Sequence, residues 1–177
     1  MSQTTKAIWS DSGIAQRLAS RGYQVLAYDF RGSGDSAGPE DVTTLHTDLS
    51  AAVAFARKQG ATSIVLLGAS MGGTATIQVA AREKVTAIIT LSAPQNFSEV
   101  NVSDKEVKAI NAPKLFVNSE SDDYAKDTKN MYTLASTPKE IKMYAGYAHG
   151  TEIFQGNDSN DLTQRILNFV TRYAPAS

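Results

Sequence analysis

The sequence predicts an α/β fold, an open and mostly parallel sheet of about five strands with helices on both faces. Three observations predict it. Short apolar runs rich in strand formers recur along the chain, helical patterns alternate with them, and most runs are near-continuous rather than alternating, as in strands buried on both faces. At 177 residues and 19.0 kDa, the chain has the length of one compact domain, expected to span residues 1–177.

Each element has its own signal. Residues 10–20 read as a first helix. Residues 23–29 (YQVLAYD) read as the first strand. Residues 41–59 place Val42, Leu45, Leu49, Ala52, Val53 and Ala56 on one helical face, with Asp41 as cap and Gly60 as stop. A second strand is expected at 63–67 (SIVLL), followed by a helix carrying Ala75, Ile77, Val79 and Ala80. The third strand falls at 85–91. Ser103 and Glu106 have capping-box spacing ahead of Val107 and Ile110. The fourth strand, 114–118, precedes a helix with Tyr124, Met131 and Leu134, and the fifth is 139–144. Leu162, Ile166, Phe169, Val170 and Tyr173 complete a last helix over 161–173. In such a sheet ligands sit at the carboxyl ends of the strands, so the loops there are where function is sought.

Composition excludes several classes. Seventeen basic residues against 18 acidic ones give a net charge of −1, which offers no electrostatic case for nucleic acid or an anionic membrane. The absence of cysteine removes disulfides, thiolate zinc sites and cysteine nucleophiles together. No run approaches the roughly 18 apolar residues of a membrane span, and residues 1–6 are too polar for a signal peptide. A cytoplasmic location is expected. No ligand cluster for a metal or cofactor is present in the sequence, and none is expected.

The loop after the first strand contains Gly32, Gly34 and Ala37 at the spacing of a dinucleotide fingerprint. That reading fails, because Pro39 interrupts before any helix opens and no acidic residue ends a second strand about 20 residues on. Asp29 and Arg31 are expected to form an ion pair that orders this loop. The loop after the second strand is different. Gly68-Ala69-Ser70-Met71-Gly72 lies between a strand and a helix, the G-x-S-x-G arrangement of a nucleophile elbow. Glycines two before and two after the serine let neighbouring backbone approach, and the helix start aims the Met71 N–H at a developing oxyanion.

A serine hydroxyl needs a base, and the base needs an orienting acid. Elbow enzymes place these later in the chain, acid before histidine. Only His149 lies downstream of Ser70, in the loop after the last strand. His46 sits inside an amphipathic helix and reads as a packing or surface residue. The acid should follow the fourth strand, where spacing favours Asp122 with Asp123 as rival. One of the two is expected to orient His149 and the other to cap the following helix. Phe97, Tyr124, Tyr147 and Phe154 lie close enough in sequence to these loops to suggest apolar walls.

These motifs together resemble the α/β-hydrolase superfamily from about Trp9 to Tyr173. Residues 28–36 (YDFRGSGDS) are similar to its D-x-R-G-x-G-x-S loop, residues 113–122 to its P-x-L-x-x-x-G-x-x-D segment with Ser119 in place of the usual glycine, and residues 146–150 to its G-x-x-H-G ending. The resemblance is to small, capless esterase-like or dienelactone-hydrolase-like members, and the latter use cysteine where this chain has Ser70. It implies Ser70 as nucleophile, Asp122 as acid and His149 as base. Residues 92–112 are too few for a large lid.

The resemblance also implies three further strands before the first helix, the third supplying a second oxyanion N–H. Without that strand, the 23–29 strand is expected to slide beside 63–67, or another copy of the chain to cover the exposed edge as a homo-oligomer, or the true start to lie upstream. In the first case the N–H of Phe30 or Arg31 takes over the oxyanion hole. The expected function is a serine hydrolase cleaving a carboxylic ester or related small-molecule acyl compound through an acyl-enzyme. The competing expectation is a non-catalytic binding or assembly module built on a hydrolase core with an incomplete oxyanion hole.

Overall fold

The near-continuous apolar runs form a four-stranded parallel sheet in the computed structural model, which describes residues 5–176; residues 1–4, part of the polar start, and residue 177 lie outside the described residues. In chain order the elements are α1 (Ala7–Asp11), α2 (Ile14–Ala19), a 3₁₀ turn (Val42–Thr44), α3 (Leu45–Lys58), β1 (Val65–Ala69), α4 (Met71–Ala80) and β2 (Ala87–Leu91). There follow β3 (Asn96–Phe97), β4 (Val100–Asn101), α5 (Asp104–Ala109), β5 (Lys114–Ser119), α6 (Ala125–Leu134), β6 (Lys139–Tyr144), a second 3₁₀ turn (Gly150–Gln155) and α7 (Ser159–Tyr173). The sheet order is β1-β2-β5-β6, all parallel, with β3 and β4 forming a separate small antiparallel hairpin.

Alternation across the pleat divides the interior into two layers. Leu66, Ile88 and Phe116 point to one face, where they meet Leu45, Leu49 and Val53 of α3, Ile77 of α4, Val107 of α5 and Met131 of α6. Ala87, Ile89, Leu91, Leu115 and Val117 point to the other, against Ile14 of α2 and Ile166, Phe169 and Val170 of α7. Every residue of β2 and β5 is buried, as expected of central parallel strands. The register Ala69↔Leu91, Leu91↔Val117 and Ser119↔Tyr144 brings the four carboxyl ends to one edge of the sheet.

The local signals explain where helices start and stop. The Asp41 carboxylate accepts the Thr43 N–H at 2.9 Å, and Ser103 and Glu106 form the full capping box. The first helix is broken at Gly13, whose φ of +75° splits it into α1 and α2. Lys114 opens β5 fully buried, its ammonium donating to the carbonyls of Ile110 (2.9 Å) and Ser136 (2.8 Å). Burial lowers its pKa to about 8. Among the described residues no helix is long and apolar enough to cross a membrane.

Residues 23–29 are the main departure from expectation. They join no strand ladder, so the sheet has four strands rather than five, and they do not pair with β1. Their side chains fasten them elsewhere. Tyr23 packs into the α7 layer, Tyr28 and Phe30 pack into the α3–α4 layer, and Asp29 is held by Lys6, while Val25 and Leu26 stay about half exposed. An apolar run anchored by side chains looks the same in sequence as one anchored by a ladder. β1 therefore keeps an open edge among the described residues.

Asp29 and Arg31 do order the following loop, although not as a pair. The Asp29 carboxylate accepts the backbone N–H (2.6 Å) and ammonium (2.8 Å) of Lys6 and the N–H of Asp35, and these bonds hold its pKa down at about 2. A side chain on Gly34 would overlap that carboxylate, and Gly34 also has a φ of +51°. Arg31 instead binds Asp48 of α3, through Nε at 2.7 Å and through its backbone N–H at 3.0 Å.

Candidate active site

Ser70 stands between β1 and α4 with φ +51° and ψ −127°, a backbone conformation rarely adopted by residues with a side chain. The turn is held by the Ser70 N–H donating to the Leu91 carbonyl at 2.8 Å, and by its carbonyl accepting from Gly73 and Thr74. The glycines that make room are Gly68 and Gly73. A Cβ on Gly68 would collide with the Gly72 carbonyl, and one on Gly73 would stand 2.8 Å from the Ala93 side chain. Gly72 is different: a Cβ there would only touch the Phe30 ring at 3.7 Å. The close approach thus needs the first glycine of the motif and the residue after the second.

His149 precedes the 3₁₀ turn that follows β6, and its ring spans the site. Its Nε2 lies 2.9 Å from Ser70 Oγ and its Nδ1 lies 2.6 Å from Asp122 Oδ2. The Asp122 side chain is almost wholly buried, whereas that of His149 is about one-third exposed. Asp122 is the aspartate that meets His149, but neither Asp122 nor Asp123 caps α6, whose N-cap is Tyr124 with no side-chain cap hydrogen bond. One carboxylate oxygen meets His149, and the other accepts the Tyr124 N–H at 2.8 Å ahead of α6. Asp123 is exposed and makes neither contact.

Beside Asp122 and His149 lies an open cavity of about 300 Å³, lined by Ser121, Asp122, Asp123, Tyr124, Tyr147 and His149. The Tyr124 ring is 5.7 Å from the His149 ring and 6.5 Å from Phe97. Burial, together with the carboxylates of Asp123, Asp122 and Asp127, raises the Tyr124 phenol above its ordinary pKa. Tyr147 is exposed at the rim. Phe154 belongs to the α7 layer of the core and not to the cavity wall. His46 lies on α3, partly buried, with its Nδ1 enclosed and unbonded.

The Met71 N–H begins α4 and has no acceptor among the described residues, so it is free to face an anion at the helix start. The Phe30 N–H is likewise without an acceptor. The Arg31 N–H is not: it is committed to Asp48, which removes it as an oxyanion donor. No group of three or more His, Cys, Asp or Glu side chains suited to a metal occurs among the described residues.

Several residues that support this geometry were not singled out from sequence. Glu152 accepts the His149 N–H at 2.9 Å, Ser119 Oγ donates to the Ala148 carbonyl at 2.7 Å, and Ser92 Oγ accepts the Gly150 N–H at 2.8 Å. Ser119, standing where the resembling family has glycine, was the one visible signal.

Comparisons with known proteins bear on the family and the fold. The family described as Serine aminopeptidase, S33, matches residues 9–104. Bifunctional epoxide hydrolase 2 of Sus scrofa is 33% identical over 98 residues, covering 53% of this chain and 18% of that protein. Dipeptidyl aminopeptidase BIII of Pseudoxanthomonas mexicana is 40% identical over 75 residues, covering 37% of this chain and 11% of that protein. The chain thus spans under a fifth of the length of either relative. Among solved structures, a monoacylglycerol lipase of Paleococcus ferrophilus superposes with a TM-score of 0.83 at 15% identity, covering 97% of this chain and 91% of that one.

Proposed function

This chain belongs to the serine aminopeptidase S33 family of α/β hydrolases, and from that premise we propose that it is a serine hydrolase cleaving a carboxylic ester or related acyl compound. The observation that carries the proposal is the unbroken line Asp122–His149–Ser70, at 2.6 and 2.9 Å. Asp122 fixes the proton of His149 on Nδ1, leaving Nε2 as an acceptor for the Ser70 hydroxyl proton. Ser70 Oγ attacks the acyl carbon while His149 takes that proton. The Met71 N–H faces the oxygen on which negative charge develops. His149 then returns the proton to the leaving alcohol, and the acyl group stays on Ser70. Water, deprotonated by His149, releases the acid.

An ester suits the site better than an amide. An ester carbonyl is less stabilised by resonance than an amide carbonyl, and an alkoxide leaves more easily than an amide anion, so an ester needs less help at the oxyanion. Met71 supplies one donor, and the free Phe30 N–H is the candidate for a second. The open cavity beside His149 leaves the leaving group accessible to solvent.

A competing reading, a binding or assembly module on a hydrolase core, draws on the commitment of the Arg31 N–H to Asp48. A fluorophosphonate probe separates the two, since it requires an activated serine but no particular substrate. Labelling of the native protein at neutral pH that disappears in Ser70→Ala and His149→Ala is expected. An unlabelled native protein refutes the hydrolase.

A further inference from the structure

The carboxyl end of β2 carries two adjacent attachments, one for each half of the site. The Leu91 carbonyl accepts the Ser70 N–H at 2.8 Å, and the next side chain, Ser92 Oγ, accepts the Gly150 N–H at 2.8 Å. One residue step on a fully buried central strand thus spans from the nucleophile to the loop bearing the base. Gly150 itself is packed against the elbow, where a Cβ would lie 3.4 Å from that of Ala69 and 3.8 Å from the Ser70 nitrogen.

Ser92 is unusual in three ways. It is wholly buried, its φ is +49°, and its hydroxyl is fully used. The hydroxyl proton goes to Asn118 Oδ1 at 2.6 Å, which turns the oxygen lone pairs toward Gly150. Asn118 cannot turn away, because its Oδ1 also accepts the Ser119 N–H at 2.7 Å and its amide donates to Thr128 Oγ1 of α6 at 2.9 Å. The Ser92 N–H donates to the Val117 carbonyl of β5 at 2.8 Å. A buried serine in a left-handed conformation costs backbone strain that glycine would avoid. The hydroxyl's bonds to Asn118 and Gly150 are what glycine could not supply.

We propose that Ser92, oriented by Asn118, is a positioning residue that sets the distance between His149 Nε2 and Ser70 Oγ. The proposal rests on the serine-hydrolase reading for its consequence in rate, since Ser92 touches neither substrate nor reacting atoms. It acts through the Gly150 N–H, one residue from the base. A shift of that loop by a fraction of the 2.9 Å contact is enough to weaken proton transfer from Ser70.

The test exploits the opposite demands of backbone and hydroxyl. Ser92→Gly relieves the positive φ but deletes the hydroxyl, whereas Ser92→Thr keeps the hydroxyl and adds strain from its branched Cβ. For each variant we would measure Tm, kcat and KM for p-nitrophenyl acetate, the rate of fluorophosphonate labelling, and the imidazole resonances of His149. For Ser92→Gly, kcat and labelling rate are expected to fall about 10- to 100-fold, with KM within about twofold and Tm unchanged or higher. Ser92→Thr is expected to regain most of the rate while its Tm falls. A purely structural role predicts the reverse order, with rate following Tm. Wild-type kcat and labelling in Ser92→Gly would overturn the proposal. If the native protein is not labelled at all, the hydrolase reading fails separately, and the His149 resonances decide the positioning role. An unmoved, equally sharp Nδ1 proton signal in Ser92→Gly then refutes it.

Discussion

Replacing Asp122 by asparagine changes one atom and asks most of the site. Asp122 Oδ1 accepts the Tyr124 N–H at 2.8 Å, and an asparagine oxygen can keep that bond. The other oxygen, 2.6 Å from His149 Nδ1, becomes an amino group that can only donate. His149 must then carry its proton on Nε2 and present it to Ser70 Oγ, so the base faces the nucleophile with the wrong tautomer. Such a tautomer reversal costs about 10⁴ in kcat, or about 5 kcal/mol in the barrier. Stability is expected to change far less, by the roughly 1.5–3 kcal/mol of a hydrogen bond involving a charged group. Asp123→Asn is the internal control, because Asp123 is exposed and contacts neither His149 nor the Tyr124 N–H. The assay is kcat/KM for a p-nitrophenyl ester in both variants, normalised to folded protein by circular dichroism and Tm. Asp122→Asn keeping a tenth of wild-type activity, or Asp123→Asn losing as much as Asp122→Asn, would refute the assignment.

Other expectations follow from the same structure. Gly73→Ala forces a methyl to 2.8 Å from Ala93 and should destabilise by about 1–3 kcal/mol. Gly72→Ala, inside α4 with room for its methyl, should be neutral or gain up to about 1 kcal/mol from helix propensity; urea melts of both variants decide. Lys114, lowered by burial to about 8 from 10.5, binds fewer protons folded than unfolded between those values. Stability should therefore rise with pH from about 8 to 10.5, and Tm measured across that range should lose its rise in Lys114→Met. Above pH 10 the burial-raised phenols of Tyr28 and Tyr144 act oppositely, because the unfolded state ionises first, so Tm should then fall. Asp29, depressed to about 2 from 3.8 by its bonds to Lys6, contributes stability present above pH 3.8 and lost as pH falls toward 2. Acid titration of Asp29→Asn, followed by fluorescence of Trp9, should show a shallower loss.

The chemistry-bearing loops were legible in the sequence because each follows a strand whose burial leaves a plain apolar signature. β2, β5 and β6 lie at or within two residues of their expected bounds, Ser103 caps α5 as its spacing announces, and Asp41 caps the 3₁₀ turn that leads into α3 rather than α3 itself. The line from Asp122 to Ser70 needed only chain order and the scarcity of histidine to suggest it. Three things were not legible. Residues 23–29 carry strand-forming composition, but pairing depends on where their ends are fastened, and Arg31–Asp48 and Lys6–Asp29 are contacts 17 and 23 residues apart. That Asp122 meets both His149 and the Tyr124 N–H depends on which way two carboxylate oxygens point. The Ser92–Asn118–Gly150 bracket joins residues up to 58 positions apart, and a lone serine in an apolar run gives no hint of it.

The site is unevenly built, and that unevenness bears on what it can hydrolyse. On the acid–base side, His149 is fixed through its ring by Asp122, through its backbone by Glu152, and through its neighbours by Ser119 and Ser92. That is enough to hold a proton relay without substrate. On the proposed oxyanion side, the Met71 N–H starts α4, and the Phe30 N–H, the candidate second donor, is borne by a segment with no ladder to hold it. Removing one oxyanion donor typically costs about 10²–10³ in turnover. A site strong in its base and thin in its oxyanion hole should favour acyl groups that need little stabilisation. Activated esters should therefore outpace alkyl esters, and alkyl esters outpace amides, more steeply than in an enzyme with two rigid donors. The slope of log kcat/KM against leaving-group pKa measures this directly. A shallow slope would mean that Phe30, or another donor, is held as firmly as Met71.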